Sequence, residues 1–209
     1  GITPLVYGQY FDADYDIEDD YYWAPLDGRY EKASSFGNIV YDSADKMLFP
    51  RMWNSADDRY KEFYASYMSK SAKRGDRYRK PTFFENLSFF FDYQLNWMYW
   101  RYFMWNFAGR QNDCHSPSPG EIFLGNWESG IGFIDEMRLG DQSMAPDYLK
   151  ENKGKNHYYM LPLLLGLIGL FYQLVKDDRG CWLTFLLFFM TGIGIVIYLN
   201  QPPCQVRER

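Results

Sequence analysis

Two uncharged runs near the C-terminal end constrain this chain more than anything else in it. Tyr158 to Val175, YYMLPLLLGLIGLFYQLV, carries no charge over 18 residues, and Cys181 to Leu199, CWLTFLLFFMTGIGIVIYL, carries none over 19. Each approaches the roughly 20 residues an α-helix needs to cross a hydrocarbon core. Tyr158, Tyr159, Trp182 and Tyr198 stand at the ends, where amphipathic rings favour the headgroup level. The five residues KDDRG between the runs make a polar turn. The pattern predicts a transmembrane helical hairpin over 158–175 and 181–199, with residues 200–209 opening a further extramembrane segment. A buried hairpin in a soluble protein gives a similar pattern, but rarely with two charge-free spans in succession. Gly166, Gly169, Gly192 and Gly194 either let helices approach closely or reflect the frequency of Gly in membrane helices.

The remainder, residues 1–157, is polar and rich in aromatics, so the fold class expected is mainly α: a loop-rich extramembrane region with minor β, then the membrane hairpin. Asn54 to Gly75 reads as a helix of about 55–74, with Ser55 capping, Asp57 and Asp58 in the first turn and Lys70, Lys73 and Arg74 in the last. A second helix should run from Thr82 to Phe107 or Ala108 and stop at Gly109, and a third from Glu128 to Leu139. Asn38 to Phe49 looks strand-like or irregular, and residues 1–37 mostly loop with a short hairpin. On the second helix, Glu85, Ser88, Asp92, Asn96, Tyr99 and Asn106 share a narrow stripe at about 100° per residue. Gln94 and Arg101 oppose it, and aromatics fill the rest, which suits a helix at a membrane boundary.

Composition removes several functions. A net charge of −5 argues against a nucleic-acid partner, which a basic surface would meet. Three scattered cysteines, Cys114, Cys181 and Cys204, form no C-x-x-C pair, so neither a disulfide framework nor a zinc site is indicated. With only His115 and His157, a histidine-based triad has little raw material. The chain begins with Gly rather than Met and stops at Arg209, and it reads as a section of something longer.

Four short patterns could carry chemistry. In DADYDIEDD, Asp12, Asp14 and Asp16 match the first ligand positions of a calcium loop, but Ile17 replaces its glycine and Trp23 its closing glutamate. A solvated acidic loop and a loose divalent-cation site both remain readings of it. Asn86-Leu87-Ser88 matches a glycosylation acceptor but lies inside a predicted helix and is discounted. Tyr41-Asp42-Ser43 and Phe49-Pro50-Arg51-Met52-Trp53 could stack on a sugar and clamp a phosphate, or simply pack a loop. Gly109-Arg110-Gln111-Asn112-Asp113 offers donors and acceptors to a polyhydroxylated or phosphorylated ligand; alternatively Arg110 and Asp113 pair and cap the helix.

The runs PTFFENLSFFFDYQLNWMYWRYFMWNFAGRQND, GNWESGIGFID, NHYYMLPLLLGLIGLFYQL and LLFFMTGIGIVIYLNQPPCQVRER resemble a family of large bacterial multi-pass membrane proteins. LVYGQYF, YDS and FPRMW at the front resemble it too. This is the protein O-mannosyltransferase-like family, a domain-of-unknown-function family grouped with the GT-C glycosyltransferases, and the resemblance covers an internal section of it. The resemblance implies a bacterial cytoplasmic-membrane enzyme that transfers a sugar from a polyprenyl-phosphate donor to a protein or glycan acceptor. It implies the bilayer, the lipid-linked donor and the remaining transmembrane helices of the parent protein as partners. It also puts residues 1–157 outside the cell, whereas the Lys and Arg counts of the flanks and the turn would put the flanks in the cytoplasm. GT-C enzymes generally carry their catalytic acid ahead of this section, so no acid here is assigned as the base. The matched polar residues Arg51, Arg101, Arg110, Gln111, Asn112, Asp113, Asn126, Arg207 and Arg209 are the expected donor- or acceptor-binding residues. A divalent cation is compatible with the chemistry but no ligand set for one is implied. A non-enzymatic membrane-anchored interaction or sugar-binding module is the alternative, and a membrane-inserted structural subunit a third reading.

Overall fold

The computed structural model describes residues 6–69, 71–114, 116 and 119–203. Arg207 and Arg209 lie outside the described residues, as do Lys70, His115 and Cys204. The fold is mainly α with minor β, and the chain divides into two compact units, Gly1–Leu87 and Ser88–Arg209.

In the first unit, β1 (Tyr7–Gln9) pairs antiparallel with β4 (Lys46–Leu48). Between them β2 (Tyr15–Leu26) and β3 (Arg29–Tyr41) form a hairpin much longer than the sequence suggested. Its turn is Asp27-Gly28, both at positive φ (46° and 77°), the dipeptide that a tight hairpin turn favours. Four acids in β2 (Asp16, Glu18, Asp19 and Asp20) disfavour a strand, yet aromatic pairs across the ladder outweigh them. Tyr22 and Phe36 lie 4.5 Å apart and Tyr15 and Tyr41 6.1 Å apart.

The core of this unit is built on Phe11, Tyr64, Met52 and Met47, with the Phe11 ring 5.3 Å from Tyr64 and 5.5 Å from Tyr78. Helix α1 spans Asp58–Ser66, not 55–74, and Asp57 rather than Ser55 caps it by accepting from the Arg59 amide. The early stop is local. Ser66 Oγ donates to the Phe63 carbonyl, and Ser69 and Ala72 close a turn, the usual competition of serine with a helical backbone. Lys73 and Arg74, expected in the last turn, instead form β5 (Lys73–Arg74), which pairs with β6 (Arg77–Tyr78). Helix α2 (Phe83–Ser88) opens on a reciprocal cap: Glu85 Oε2 accepts from the Thr82 amide at 2.8 Å and Thr82 Oγ1 from the Glu85 amide at 3.2 Å.

In the second unit a π-helix spans Phe89–Trp100 and continues as α3 over Arg101–Phe107. The π-helical stretch replaces i→i+4 with i→i+5 bonding, so the stripe expected at α-helical spacing does not run true through it. Ser88, Asp92, Asn96 and Asn106 are exposed nonetheless, while Gln94 is buried and donates to Asn200 Oδ1 at 2.9 Å. After Gly109 come β7 (Gly109–Arg110), α4 (Gly132–Leu139, four residues later than expected), α5 (Asp147–Lys150) and β8 (Asn156–His157), with β7 and β8 antiparallel.

The apolar runs form α6 (Leu161–Lys176), α7 (Asp178–Phe189), a π-helical turn (Met190–Gly194) and α8 (Ile195–Leu199). The last three are continuous, and Asp178–Leu199, 22 residues, is long and apolar enough to cross a membrane, with none of its apolar window buried in the chain. The first run falls short: α6 has 16 residues. Tyr159 and Met160 both adopt positive φ (51° and 57°), which delays the helix to Leu161, with Pro162 in its first turn. One helix, rather than the expected two, therefore meets the length of a span.

Candidate functional site

The sequence pointed to the end of the aromatic helix, and there the second unit gathers most of its polar side chains. Gly109 turns the chain out of α3 at φ 135°. A Cβ there would lie 2.4 Å from the Glu128 carbonyl oxygen and 2.6 Å from that of Asn156, so two backbone segments close on it from either side. Glu128 N donates to Gly109 O, Gln111 N to Asn126 O and Tyr158 N to Ala108 O, which staples residues 108–111 between 126–128 and 156–158.

The three amides singled out from sequence fill this frame. Gln111 donates to the Ile122 carbonyl at 2.9 Å and to Gln142 Oε1 at 2.7 Å, and its own oxygen accepts from Asn126 N and Nδ2. Asn112 donates to the Phe123 carbonyl at 2.8 Å and accepts from the amides of Cys114 and Gly125. Asn126 Nδ2 donates to the carbonyls of Glu121 and Leu124. All three are buried; Gln111 and Asn112 use both ends of their side chains on the chain itself, and Asn126 uses its Nδ2. They hold the loop of residues 111–126 in shape, and contact with a ligand would require breaking those bonds.

The arginines differ. In the first unit Arg51 is fully buried, its guanidinium 4.2 Å from the Phe49 ring centroid, an interior residue rather than a surface clamp. Burial pushes its pKa down to about 10. In the second unit Arg101 projects from α3 between two indoles, 4.3 Å from the Trp97 centroid and 5.3 Å from that of Trp105. The spacing of four residues on either side stacks the three on one helix face. Arg101 Nε donates to the Trp97 carbonyl at 3.1 Å and Nη1 to that of Gly125 at 2.6 Å. Burial pushes its pKa down to about 10, so the group stays charged at neutral pH while losing much of its hydration. Arg110, leaving β7, lies 5.6 Å from the same Trp105 ring and donates from Nε to the Gly154 carbonyl at 3.1 Å. Asp113 is exposed, and it forms no ion pair with Arg110 among the described residues. Arg101, Arg110, Gln111, Asn112 and Asn126 are thus brought into one neighbourhood, with Asp113 at its exposed edge.

A second polar cluster has no counterpart among the sequence candidates. Glu128, which is 9% exposed, sets Oε1 3.1 Å from both Lys155 Nζ and His157 Nε2. The His157 contact is one of proximity, without hydrogen-bond alignment. Gly130, at φ 84°, lets His157 pack in, since a Cβ there would meet the imidazole at 2.8–2.9 Å. Next to it Arg138 stacks 3.8 Å over Trp127 and donates to the Trp127 carbonyl, and burial pushes its pKa down to about 10. Asp135 accepts from the amides of Ser129 and Gly130 and from Ser129 Oγ, fixing the turn into α4. The Trp97-Arg101-Trp105 spacing was legible in the sequence; Glu128, Lys155 and His157 meet only through the β7–β8 pairing.

In the first unit the acidic loop is occupied by the chain's own cations. Asp14 pairs with Arg77, and Asp12 lies 3.5 Å from Lys61 while accepting from the Tyr78 amide. No group of three or more potential metal ligands occurs among the described residues. Asn86, of the discounted glycosylation pattern, is fully buried and accepts from the amides of Arg51 and Met52.

Finally, an open apolar cleft of about 500 Å³ lies between the π-helical stretch and the long apolar helix, lined by Phe91, Leu95, Asn96, Tyr99, Phe188 and Ile193 among others. No curated protein and no solved structure matches the chain. Residues 1–91 match a family of unknown function, DUF8416, whose description names no glycosyltransferase.

Proposed function

We propose that this chain is the interfacial and membrane-inserted section of a GT-C-like bacterial glycosyltransferase, working on a polyprenyl-phosphate-linked sugar. The observation that carries the reading is the layout of the second unit. An apolar helix of spanning length, Arg101 on the aromatic helix and the polar loop that opens with Arg110 belong to one compact body, with an apolar cleft beside the helix. An amphiphilic donor with a long hydrocarbon tail and an anionic head needs both environments close together. In this reading α6 and α7 insert as a hairpin, the aromatic helix lies at the boundary, and the parent's other helices cover the exposed apolar faces. The acid that activates the acceptor is supplied from outside the chain. The bacterial cytoplasmic membrane is the corresponding location.

The second reading is a non-enzymatic membrane-anchored interaction or sugar-binding module. It is favoured by the β2–β3 hairpin, which leaves Tyr15, Ile17, Trp23 and Tyr30 exposed in the manner of a contact surface. The full-length protein, reconstituted in vesicles with a labelled polyprenyl-phosphate sugar, separates the two. Label moving to a protein or glycan acceptor supports the transferase. A folded, membrane-integrated protein that leaves the label on the lipid across a panel of sugars overturns it in favour of the module.

A further inference from the structure

We infer that Arg101, Trp105 and Arg110 form a binding site for a phosphate group. Two guanidinium groups flank one indole ring, at 5.3 and 5.6 Å from its centroid, and neither has a carboxylate within ion-pair distance among the described residues. Among the described residues the Arg110 guanidinium is held through Nε alone, so both terminal nitrogens of its planar fork have no acceptor there. Arg101 is held through Nε and Nη1, leaving Nη2. The indole nitrogens of Trp97 and Trp105 are buried donors with no acceptor among the described residues.

The open or unsatisfied side-chain nitrogens of Arg101, Arg110, Trp97 and Trp105 are all N–H donors, and two of the groups are cationic. A buried donor left unmade is costly, and a desolvated cation without a counter-charge more so. A ligand that cancels this surplus must be anionic, rich in acceptor oxygens and small enough to sit among three side chains. Phosphate meets those terms, and the Arg fork matches its oxygens in pairs. A neutral sugar does not, because each of its hydroxyls brings a donor of its own. The rigid amides Gln111, Asn112 and Asn126 hold the loop from which Arg110 is presented, so the fork is oriented before the ligand arrives. The identity of the anion rests on these donors alone; its attachment to a lipid rests on the function proposed above.

The test uses the full-length protein in nanodiscs, titrated separately with farnesyl phosphate, inorganic phosphate and farnesol. Farnesyl phosphate is expected to bind with a salt-dependent affinity, and Arg110→Gln to weaken it by about tenfold or more. Arg110→Lys should recover part of that loss by keeping the charge without the fork. Trp105→Phe, which keeps the ring and removes the N–H, should weaken binding less. Equal binding of farnesyl phosphate and inorganic phosphate, lost together in Arg110→Gln, supports the site and assigns a free anion as its ligand. Binding of the prenyl form alone supports it and assigns a lipid headgroup. Farnesol binding as well as farnesyl phosphate, or Arg110→Gln binding like the wild type, overturns the site. Arg101→Gln serves as a second variant; because Arg101 also holds Gly125, its binding is read only in samples with wild-type unfolding profiles, and Arg110→Gln decides alone otherwise. Sugar transfer that persists in Arg110→Gln would sink this inference and leave the transferase standing, whereas phosphate binding without any transfer would do the reverse.

Discussion

Polar groups are satisfied differently in the two units. In residues 6–87 charge answers charge: Arg79 pairs with Glu85, Arg77 with Asp14 and Lys61 with Asp12. In residues 88–203 Glu128 still pairs with Lys155, but the loop of residues 111–126 relies on neutral amides, and three arginines lie over indoles, at Arg101–Trp97, Arg110–Trp105 and Arg138–Trp127, as Arg51 lies over Phe49 in the first unit. The ion pairs of the first unit sit partly in water, where solvent screens them and charges cost little to keep. The second unit is joined to apolar helices, and there an amide or a ring face can stabilise a buried group without demanding a second buried charge. Such an interior is rigid, but it leaves cations without counter-ions, and that surplus is what an anionic ligand can use.

The contrast can be broken experimentally, most forcefully at its tightest point. Gly109→Ala places a Cβ against two carbonyl oxygens at a positive φ, and should cost the second unit about 3 kcal/mol or more in a denaturant titration. Asn112→Ala removes three hydrogen bonds and leaves buried backbone groups unpaired; a loss of about 2–4 kcal/mol is expected, with the first unit unaffected by hydrogen exchange. An amide network that tolerated either change would erase the distinction drawn above.

Smaller effects sharpen the first unit's side. The Arg79 guanidinium pulls the Glu85 carboxyl from 4.5 down to about 2, helped by the Thr82 and Ser69 amides. Because the folded value is the lower one, this contribution is complete above about pH 4.5 and is lost as pH falls towards 2. Acid titration of the wild type should show that loss, and Glu85→Gln should flatten it at a cost of about 1–3 kcal/mol near neutral pH. Asp14, exposed and held low by Arg77, should matter least: Asp14→Asn is expected to leave the unfolding midpoint unchanged, and still more so in high salt.

Local signals were read in part: the stops at Gly109 and Gly140 act where they stand, whereas the cap expected at Ser55 falls to Asp57, and the reciprocal Thr82–Glu85 cap, three residues apart in the sequence, was not singled out. The Asp27-Gly28 turn was equally legible, but the acids of β2 masked the strands that flank it. The helix expected over 55–74 ends at Ser66, whose hydroxyl bonds the Phe63 carbonyl, and beyond it the Ser69 amide turns to the Glu85 carboxylate, effects no charge pattern reveals. Of the candidate site, the recurrence of Trp97, Arg101 and Trp105 every four residues was visible, but because Trp97 stands in the π-helical stretch only the structure shows that the three stack. That Gln111, Asn112 and Asn126 face inward was not visible, since an amide reads the same whether it greets a ligand or a distant carbonyl.

By itself, then, the sequence determined the apolar C-terminal helices, the aromatic helix and the polar loop that follows it, because periodicity, charge and punctuation act over a few residues. Only the tertiary structure decided which polar groups are already satisfied. It joined β7 to β8, brought Glu128 to Lys155 and His157, closed two backbones on Gly109 and, among the described residues, left the terminal nitrogens of Arg110 and Nη2 of Arg101 without a protein acceptor. Hydrogen bonds between residues tens of positions apart depend on where the chain returns, and that is fixed by packing rather than by neighbours in sequence.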